Sequence, residues 1–305
     1  KQVLEERLGE DTRITSLGHV QRGGAPSAFD RYLSTVLGYA AVEQVVTAPG
    51  GESQLIGIRG HQIISSPLMK SVEKTHAVAD VIAANDYETA MEMRGGSFKD
   101  SFRMIRTMVR AQPHGPVPGQ RRLRLAVLHG GGAAPGMNTA VRVAVRVGLD
   151  LGHEMLAVRD GFEGLRNGRL KEMDWMSVNG WASRGGAELG TSRHLPRGVH
   201  FDMIADHIEQ HRLDGLLMVG GWAGYQACYD LHRAAEDNVR LRIPIVCMPA
   251  SINNDPPGTE LSIGADTALN SIVSDVDKIK GAFAIARDLA EKVIGAEKAA
   301  KAKAS

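Results

Sequence analysis

The stretch PASINNDPPGTE, residues 249–260, follows an apolar run and places small polar side chains where a strand would end. Its centre carries two amides, Asn253 and Asn254, at a point where a group that accepts a proton from a hydroxyl would be a carboxylate. Amides and hydroxyls can still donate and accept hydrogen bonds. The pattern therefore leaves two alternatives open, a site that performs chemistry and a site that only holds a ligand.

Two further segments carry the donors that a phosphate group needs. In GTSRH, Arg193 follows small residues, and its planar guanidinium group can donate two hydrogen bonds to one phosphate. In GHVQRGG, the side chains of His19, Gln21 and Arg22 lie between glycines, with Arg13 nearby. Each has an ordinary alternative, since Arg193 could be a surface arginine and His19 a structural histidine. The clustering of His, Gln and Arg between glycines favours a ligand.

The glycine-rich turn HGGGAAPG joins an apolar strand to an amphipathic helix. Glycines allow the backbone to approach an anion, and a helix N-terminus offers free N–H groups and positive potential. The same glycines could instead serve only the close packing of backbone segments. No Gly-Lys-Ser/Thr follows, and the glycine spacing does not fit a dinucleotide fingerprint, so the turn matches neither of these nucleotide motifs.

The chain after residue 122 predicts the elements that would bring these segments together. Strands are predicted at residues 123–128, 154–158, 215–221 and 243–248, and helices from residue 137, from about residue 224 and from near residue 266. Strands that alternate with helices predict an α/β fold with a doubly wound parallel sheet. Ligands of such sheets bind beyond the carboxyl ends of the strands, where each glycine-rich turn lies.

The composition narrows the classes of function. The formal net charge is +1, from 36 basic and 35 acidic residues, which argues against a nucleic-acid partner because phosphate backbones require clustered Lys and Arg. No apolar run approaches the ~20 residues of a membrane span. The 11 histidines form no metal-binding motif. Two cysteines far apart in sequence favour reduced thiols, so we expect a cytoplasmic protein without membrane or nucleic-acid partners.

Several long motifs together resemble ATP-dependent 6-phosphofructokinase in its eukaryotic tandem-repeat form. They are LGHVQRGGAPSAFDR, RGGSFKDSF, GGAAPGMNTAVR, DGFEGL, RGGAELGTSRHLP, VGGWAGY and PASINNDPPGTELSIGADTALN. In this family two homologous halves are fused. The first half transfers the ATP γ-phosphoryl group to fructose 6-phosphate in glycolysis, and the second binds fructose 2,6-bisphosphate as an effector. The chain does not begin with Met, and we expect it to be a segment of such an enzyme.

The resemblance implies four parts and an incomplete phosphofructokinase-like fold. Residues 1–111 correspond to the C-terminal part of a catalytic half, and residues 112–122, QPHGPVPGQRR, form a linker. Residues 123–288 correspond to the N-terminal part of a second, non-catalytic half. Residues 289–305 form an Ala/Lys-rich tail.

The resemblance also implies two sets of binding residues. The set that holds fructose 6-phosphate is Arg13, His19, Gln21 and Arg22. In the family the equivalent of Arg13 reaches the site of a neighbouring subunit. The set that holds the bisphosphate effector is Arg193, Ser251, Ile252, Asn253, Asn254 and Asp255.

Three positions depart from the catalytic pattern of the family. Catalytic halves carry Thr-Ile-Asp-Asn-Asp, and the first Asp, which accepts the proton, is here Asn253. Its general-base contribution of roughly 10²–10⁴-fold is therefore absent. Trp222 stands where an Asp helps to hold Mg²⁺, and Ala133 replaces another Asp. We therefore assign no catalytic or metal-binding residue, and we expect the segment to bind neither the Mg²⁺ nor the ATP of the family productively.

Two other functions stay open at this point. The chain could be a non-catalytic regulatory or assembly module that binds a sugar bisphosphate and pairs with a separate catalytic subunit. Alternatively, the glycine turn could bind an adenine nucleotide as an effector, which Trp222 and Ala133 disfavour. The partners implied by the resemblance are fructose 6-phosphate, fructose 2,6-bisphosphate and other phosphofructokinase subunits or halves.

Overall fold

A computed structural model describes residues 2–9, 11, 13, 18, 22–47, 52–59 and 62–304, without the side chains of residues 8 and 296–304. The chain divides into two compact units. One comprises residues 1–51 and 56–64, and the other comprises residues 52–55 and 65–305. Helices α1 (Gln2–Leu8) and α2 (Ala28–Thr47) belong to the first unit.

Helix α2 begins behind an N-cap residue. The hydroxyl of Ser27 accepts a hydrogen bond from the N–H of Asp30 at 3.2 Å, which satisfies one of the free N–H groups of the first turn. The carboxylate of Asp30 lies in that turn and complements the helix dipole. Local sequence therefore fixes where this helix starts.

The remaining helices and strands follow in chain order. They are β1 (Gln54–Arg59), β2 (Gln62–Pro67), α3 (Leu68–Ala83), α4 (Tyr87–Met93), α5 (Gly96–Val109), β3 (Arg124–Gly130), α6 (Met137–Asp150), β4 (Glu154–Val158), α7 (Gly161–Arg166), β5 (Leu170–Met173), α8 (His200–Gln210), β6 (Gly215–Gly220), α9 (Trp222–Ala234), β7 (Ile245–Pro249) and α10 (Ala265–Ala304). Strands β1 and β2 pair with each other.

The five other strands form one sheet in the order β5-β4-β3-β6-β7. Strand β3 pairs in parallel with β4 and with β6, and β6 pairs in parallel with β7. The edge strand β5 runs antiparallel to β4. After β3 the chain forms β4 on one side of it, and later forms β6 on the other side. Because the strand order reverses at this point, a crevice is expected at the carboxyl ends of β3 and β6.

Helices cover both faces of this sheet, as its apolar central strands require. On one face, α6 presents Met137, Val141 and Val145, which share one side of the helix and are fully buried. On the other face, Phe162 of α7 and Leu231 of α9 pack with residues of α8. The parallel order and the two covered faces confirm the predicted doubly wound α/β architecture.

After residue 122 the predicted elements match closely, with three omissions. Strand β4 has the predicted bounds, whereas β7 begins at Ile245 instead of residue 243. Helix α7, strand β5 and helix α8 are not among the predicted elements. Helix α7 has only six residues, and strand β5 is short and half polar. No side chain caps the start of helix α8, so its beginning carries no recognisable signal.

The domain limits stay a prediction. Residues 111–122 contain no helix or strand and are exposed, as a linker would be. Helix α10 continues without interruption past residue 288, and the compact units divide the chain inside the predicted first part. In the part of the chain that the structure describes, no helix combines the length and the apolar character that crossing a membrane would require.

Candidate functional site

A cleft of about 400 Å³ lies at the carboxyl ends of β3, β6 and β7. The turn after each strand contributes one wall, through residues 131–133, 221–223 and 250–253, and Asp255 and Arg193 complete the lining. This is the crevice expected from the strand order. The sheet thus brings together segments that lie more than 100 residues apart in the sequence.

Part of the glycine pattern serves backbone packing. A Cβ atom on Gly130 would lie 2.7 Å from the Cα atom of Gly224, so strand β3 and helix α9 meet closely. A Cβ atom on Gly220 would lie 2.0 Å from the carbonyl oxygen of Gly130. Gly132 is different, because its nearest neighbour would be the Arg193 Nη2 atom at 3.5 Å, an ordinary contact. The glycine turn therefore has a packing part and a part that faces the cleft.

Arg193 is held against the glycine turn by its neighbours. The Thr191 hydroxyl donates to the carbonyl oxygen of Gly131 at 2.8 Å, and the Gly131 N–H donates to the carbonyl oxygen of Ser192 at 2.9 Å. These bonds position the backbone of the arginine, and its guanidinium group reaches Gly132. Among the acidic side chains that the structure describes, none forms an ion pair with Arg193, so its charge remains available to an anion.

The N-terminus of α9 adds positive potential to the same cleft. Gly221 is the N-cap residue, no side chain caps the helix, and its first turn contains no acidic residue. Free N–H groups at such an end attract anions. Trp222, the first helical residue, is 61% exposed and lines the cleft.

The turn after β7 is organised around Ser251. Its hydroxyl accepts a hydrogen bond from the Asn253 N–H at 3.2 Å and donates to the Asp255 carboxylate at 2.6 Å. The carbonyl oxygen of Ser251 accepts a hydrogen bond from the hydroxyl of Ser262 at 2.6 Å. The side-chain amide of Asn253 forms no such bond within the described residues, so it is free to meet a ligand.

Asn254 differs from its neighbour. Its Nδ2 atom donates to the carbonyl oxygen of Glu260 at 2.9 Å, and its Oδ1 atom accepts from the Ser262 N–H at 2.7 Å. Its φ of 54° lies in the left-handed region, which asparagine tolerates better than most residues. Asn254 does not line the cleft, and its observed contacts close the loop that presents Asn253.

The donor set at the cleft does not fit a magnesium–nucleotide site. Mg²⁺ is usually bound by carboxylates together with substrate phosphates. Among the residues that line the cleft, Asp255 is the acidic one, and its carboxylate accepts a hydrogen bond from the hydroxyl of Ser251. Ala133 has no donor atom, and Trp222 offers only an indole N–H, which cannot coordinate a cation. Among the residues with described positions, no group of three or more His, Cys, Asp or Glu residues could hold a metal ion.

Arg166 of α7 contacts two histidines, His194 and His200, that follow Arg193 in the chain. The Nη1 atom of Arg166 lies 3.3 Å from Nε2 of His194 and 3.2 Å from Nε2 of His200. Burial lowers the pKa of His200, and the charges of Arg166 and His194 lower it further. His200 therefore stays neutral near pH 7, and the contacts of Arg166 with both histidines hold the segment that follows Arg193.

The predicted site residues fall into four groups, one of which is Asn254 alone, which lies outside the cleft lining and closes its loop. Arg193, Ser251, Ile252, Asn253 and Asp255 line one cleft. Arg13 and Arg22 are exposed and belong to the first unit. His19 and Gln21 lie outside the described residues. Sequence reasoning missed Thr191, whose contribution is a hydroxyl bond to the backbone of Gly131. Its position in GTSR, two residues before the arginine, was the available signal.

Comparisons with known proteins agree on one family. The family model described as Phosphofructokinase matches residues 1–45 and 124–288. The chain is 40% identical over 281 residues to the platelet-type ATP-dependent 6-phosphofructokinase of Rattus norvegicus, covering 92% of this chain and 35% of that protein. It is 42% identical over 282 residues to ATP-dependent 6-phosphofructokinase subunit alpha of Candida albicans, covering 92% of this chain and 28% of that protein.

Solved structures give the same result. The phosphofructokinase of Saccharomyces cerevisiae matches with a TM-score of 0.86 and 39% identity, covering 92% of this chain and 37% of that one. The phosphofructokinase of Pichia pastoris in the T-state matches with a TM-score of 0.86 and 38% identity, covering 92% of this chain and 32% of that one. The chain thus spans about a third of the length of the relatives it matches.

Proposed function

Because the chain belongs to the phosphofructokinase family, we propose that its cleft is a non-catalytic site for a sugar bisphosphate within a longer ATP-dependent 6-phosphofructokinase. The ligand class is that of fructose 2,6-bisphosphate, which carries two phosphates on a hydroxyl-rich ring. The observation that carries this proposal is the composition of one cleft. It holds an arginine that forms no ion pair with the acidic residues of described position, and a helix N-terminus without a side-chain cap. Its lining residues offer no metal-ligand set and no carboxylate at position 253.

The anion-binding groups of the cleft come from different elements. Arg193 can donate two hydrogen bonds to one phosphate, and the N–H groups at the start of α9 can donate to the same or the other phosphate. The Asn253 amide can bond a ring hydroxyl or a phosphate oxygen. Such a site can bind a phosphorylated sugar whether or not a reaction takes place elsewhere in the protein.

The same groups do not support phosphoryl transfer in this cleft. An amide at Asn253 cannot accept the proton of an attacking hydroxyl at neutral pH. The phosphoryl group in transfer also needs a counter-charge, usually a divalent cation, and Trp222 and Ala133 do not supply its ligands. We therefore derive no catalytic step here and expect negligible kinase activity from the 305-residue chain.

For the first unit, we propose that Arg13, His19, Gln21 and Arg22 contact fructose 6-phosphate in the longer protein. The support is the sequence match of residues 1–45 to the family model and the exposure of both arginines. A cytoplasmic location, like that of other glycolytic enzymes, is part of the same proposal.

The test is a titration of the 305-residue chain with fructose 2,6-bisphosphate by isothermal calorimetry. Replacing Arg193 with Ala should weaken binding by at least about tenfold, because a charged hydrogen bond contributes about 1.5–3 kcal/mol. The matched control is Arg197→Ala, which removes the same charge from an exposed side chain outside this cleft. An equal loss of affinity in both variants would contradict the placement of the ligand.

Two further measurements separate the alternatives. A coupled assay with ATP, Mg²⁺ and fructose 6-phosphate should detect no fructose 1,6-bisphosphate, and sustained product formation would overturn the non-catalytic assignment. ATP should not displace the bisphosphate. If ATP displaces the bisphosphate, and a substitution of Trp222 changes that displacement, the result would instead support an adenine nucleotide as the effector.

A regulatory module that pairs with a separate catalytic subunit is the second candidate. It is favoured by relatives that are themselves named as subunits, alpha in Candida albicans and beta in Saccharomyces cerevisiae. Size-exclusion chromatography of the chain with and without a catalytic phosphofructokinase subunit distinguishes it. Absence of both a complex and activation would exclude this function.

A further inference from the structure

The two cysteines of the chain meet between a helix and a strand. Cys228 lies on α9, is 7% exposed, and belongs to the apolar cluster on that face of the sheet. Cys247 lies on β7, is half-buried, and packs against the same cluster. Both are free thiols. Neither is among the described residues that line the cleft, so the proposed ligand binding gives this pair no role.

The packing of β7 under α9 brings the two side chains together. Successive side chains of a strand point to opposite faces of the sheet. Ile245 and Cys247 therefore face the cluster below α9, whereas Met248 packs on the other face. Cα atoms of α9 and β7 lie within 8 Å of each other. The fully buried Ala227, a small residue beside Cys228, permits this close approach.

The contact between the thiols does not depend on the open edge of β7. Another strand beside β7 would pair with its backbone groups in the plane of the sheet. The side chain of Cys247 projects out of that plane, towards α9. The same two thiols would therefore meet within a longer chain.

The two thiols differ in reactivity. A hydrogen bond with Cys228 lowers the pKa of Cys247. The same hydrogen bond raises the pKa of Cys228, and burial raises it further. The thiolate is the form of cysteine that reacts with a peroxide. Cys247, which is also the more exposed of the two, should therefore react first, with Cys228 as the adjacent second thiol.

We propose that Cys228 and Cys247 are a reversible redox pair that hydrogen peroxide converts into an intramolecular disulfide. The Cys247 thiolate attacks one peroxide oxygen, the O–O bond breaks, and a sulfenic acid and hydroxide form. The sulfur of Cys228 then displaces the hydroxyl group of the sulfenic acid. The S–S bond forms, the S–O bond breaks, and the hydroxyl group leaves with the thiol proton as water. Two thiols are oxidised, and one peroxide is reduced to water.

This disulfide would act on the cleft because both elements end there. Trp222 is the first residue of α9, and residues 250–253 follow β7, and all of these except residue 254 onwards line the cleft. A disulfide holds its two Cα atoms about 5.5–6 Å apart, so oxidation fixes the spacing between α9 and β7. On the basis of the proposed function, the shifted N–H groups at the start of α9 should then bind the bisphosphate less tightly.

Mass spectrometry of the reduced 305-residue chain after exposure to hydrogen peroxide tests the disulfide. The monomer should lose the mass of two hydrogen atoms, and digestion should yield two peptides joined through Cys228 and Cys247. Dithiothreitol should return both thiols to alkylation. Cys228→Ala and Cys247→Ala are matched variants, since each removes one thiol. With peroxide, the first should accumulate a sulfenic acid at Cys247 that dimedone traps, and the second should keep Cys228 reduced.

Urea unfolding and calorimetry measure the consequences. The oxidised wild type should unfold at a higher urea concentration than the reduced one, because the cross-link closes a loop of about 20 residues in the unfolded chain. Neither alanine variant should show this change after peroxide treatment. The oxidised wild type should bind fructose 2,6-bisphosphate at least about threefold more weakly than the reduced one.

Several results would overturn the proposal. Peroxide that leaves both wild-type thiols open to alkylation, or that links only separate chains, would do so. An unchanged unfolding midpoint in the cross-linked chain would show that the disulfide does not restrain the fold. Equal bisphosphate affinity in both redox states would show that the pair does not act on the cleft. If the disulfide forms but the reduced chain binds no bisphosphate, the proposed function fails and the redox pair stands.

Discussion

Gly130→Ala tests whether packing or ligand binding explains the glycine turn. The new Cβ atom would lie 2.7 Å from the Cα atom of Gly224 and 3.2 Å from the sulfur of Met218. Carbon atoms in contact normally lie about 3.5–4.0 Å apart. The backbones of β3 and α9 must therefore separate, or the residue cannot be accommodated.

The magnitude follows from two opposing effects. Overpacking of a well-packed core costs about 1–3 kcal/mol. Alanine restricts the unfolded chain more than glycine does, which returns about 0.4–1 kcal/mol when the native φ suits alanine, and Gly130 has no positive φ. We expect a net loss of about 1–2 kcal/mol in the free energy of unfolding.

Gly132→Ala is the matched control. Its Cβ atom would lie 3.5 Å from Nη2 of Arg193, at ordinary contact distance, and its φ is not positive. This variant should unfold within about 0.5 kcal/mol of the wild type, as surface substitutions usually do. It should nevertheless alter bisphosphate affinity, because the new methyl group restricts the guanidinium group.

Urea unfolding followed by tryptophan fluorescence is the suitable assay. All three tryptophans lie in the second compact unit, so the signal reports on the unit that carries the substitution. If Gly130→Ala is as stable as the wild type, or if Gly132→Ala loses as much stability, the division of the turn into packing and cleft-facing glycines is wrong.

Two other predictions concern charge. Asn253→Asp should lower bisphosphate affinity by about tenfold in calorimetry, because it adds a second carboxylate beside Asp255 and repels the phosphates, and unchanged affinity would place the ligand elsewhere. His129 is fully buried, and burial lowers its pKa. Below about pH 6.5 the unfolded chain therefore binds a proton at this residue that the folded chain does not bind, so the free energy of unfolding falls. In urea titrations between pH 7 and pH 5, His129→Gln should reduce this loss of stability, and His200 and His211, whose pKa values are also lowered, should keep part of it. An unchanged dependence of stability on pH would contradict the role given to His129.

The apolar strands were the predictable part of the fold. Strands β3, β4 and β6 are buried on both faces, so each reads as a continuous apolar run with a clear end. Strand β7 is also an apolar run, but it lies at the other edge of the sheet and exposes Val246. The edge strand β5, with the sequence LKEM, pairs on one side only and needs no such run. Its formation depends on the partner β4, which no local pattern can reveal.

Residue type predicted some of the residues that line the cleft, whereas their ligand-binding roles stay a prediction. Arg193 could be recognised because a guanidinium group among small residues suits a phosphate. The difference between Asn253 and Asn254 could not be recognised, because both are amides in the same turn. Only the fold shows that the second closes the loop to Glu260 and Ser262 while the first faces the cleft.

The shape of the cleft depends on glycines that do not line it. Gly130, Gly220 and Gly224 allow β3, β6 and α9 to lie close together, because a Cβ atom at any of them would meet a neighbouring segment. Residues 133, 222 and 253 line the resulting cleft. Under the proposed function, a fold of this kind can therefore change the residues that line the cleft while it keeps the packing that shapes the cleft. Stability and ligand chemistry should respond to different substitutions in this cleft, which is why the paired glycine variants are informative.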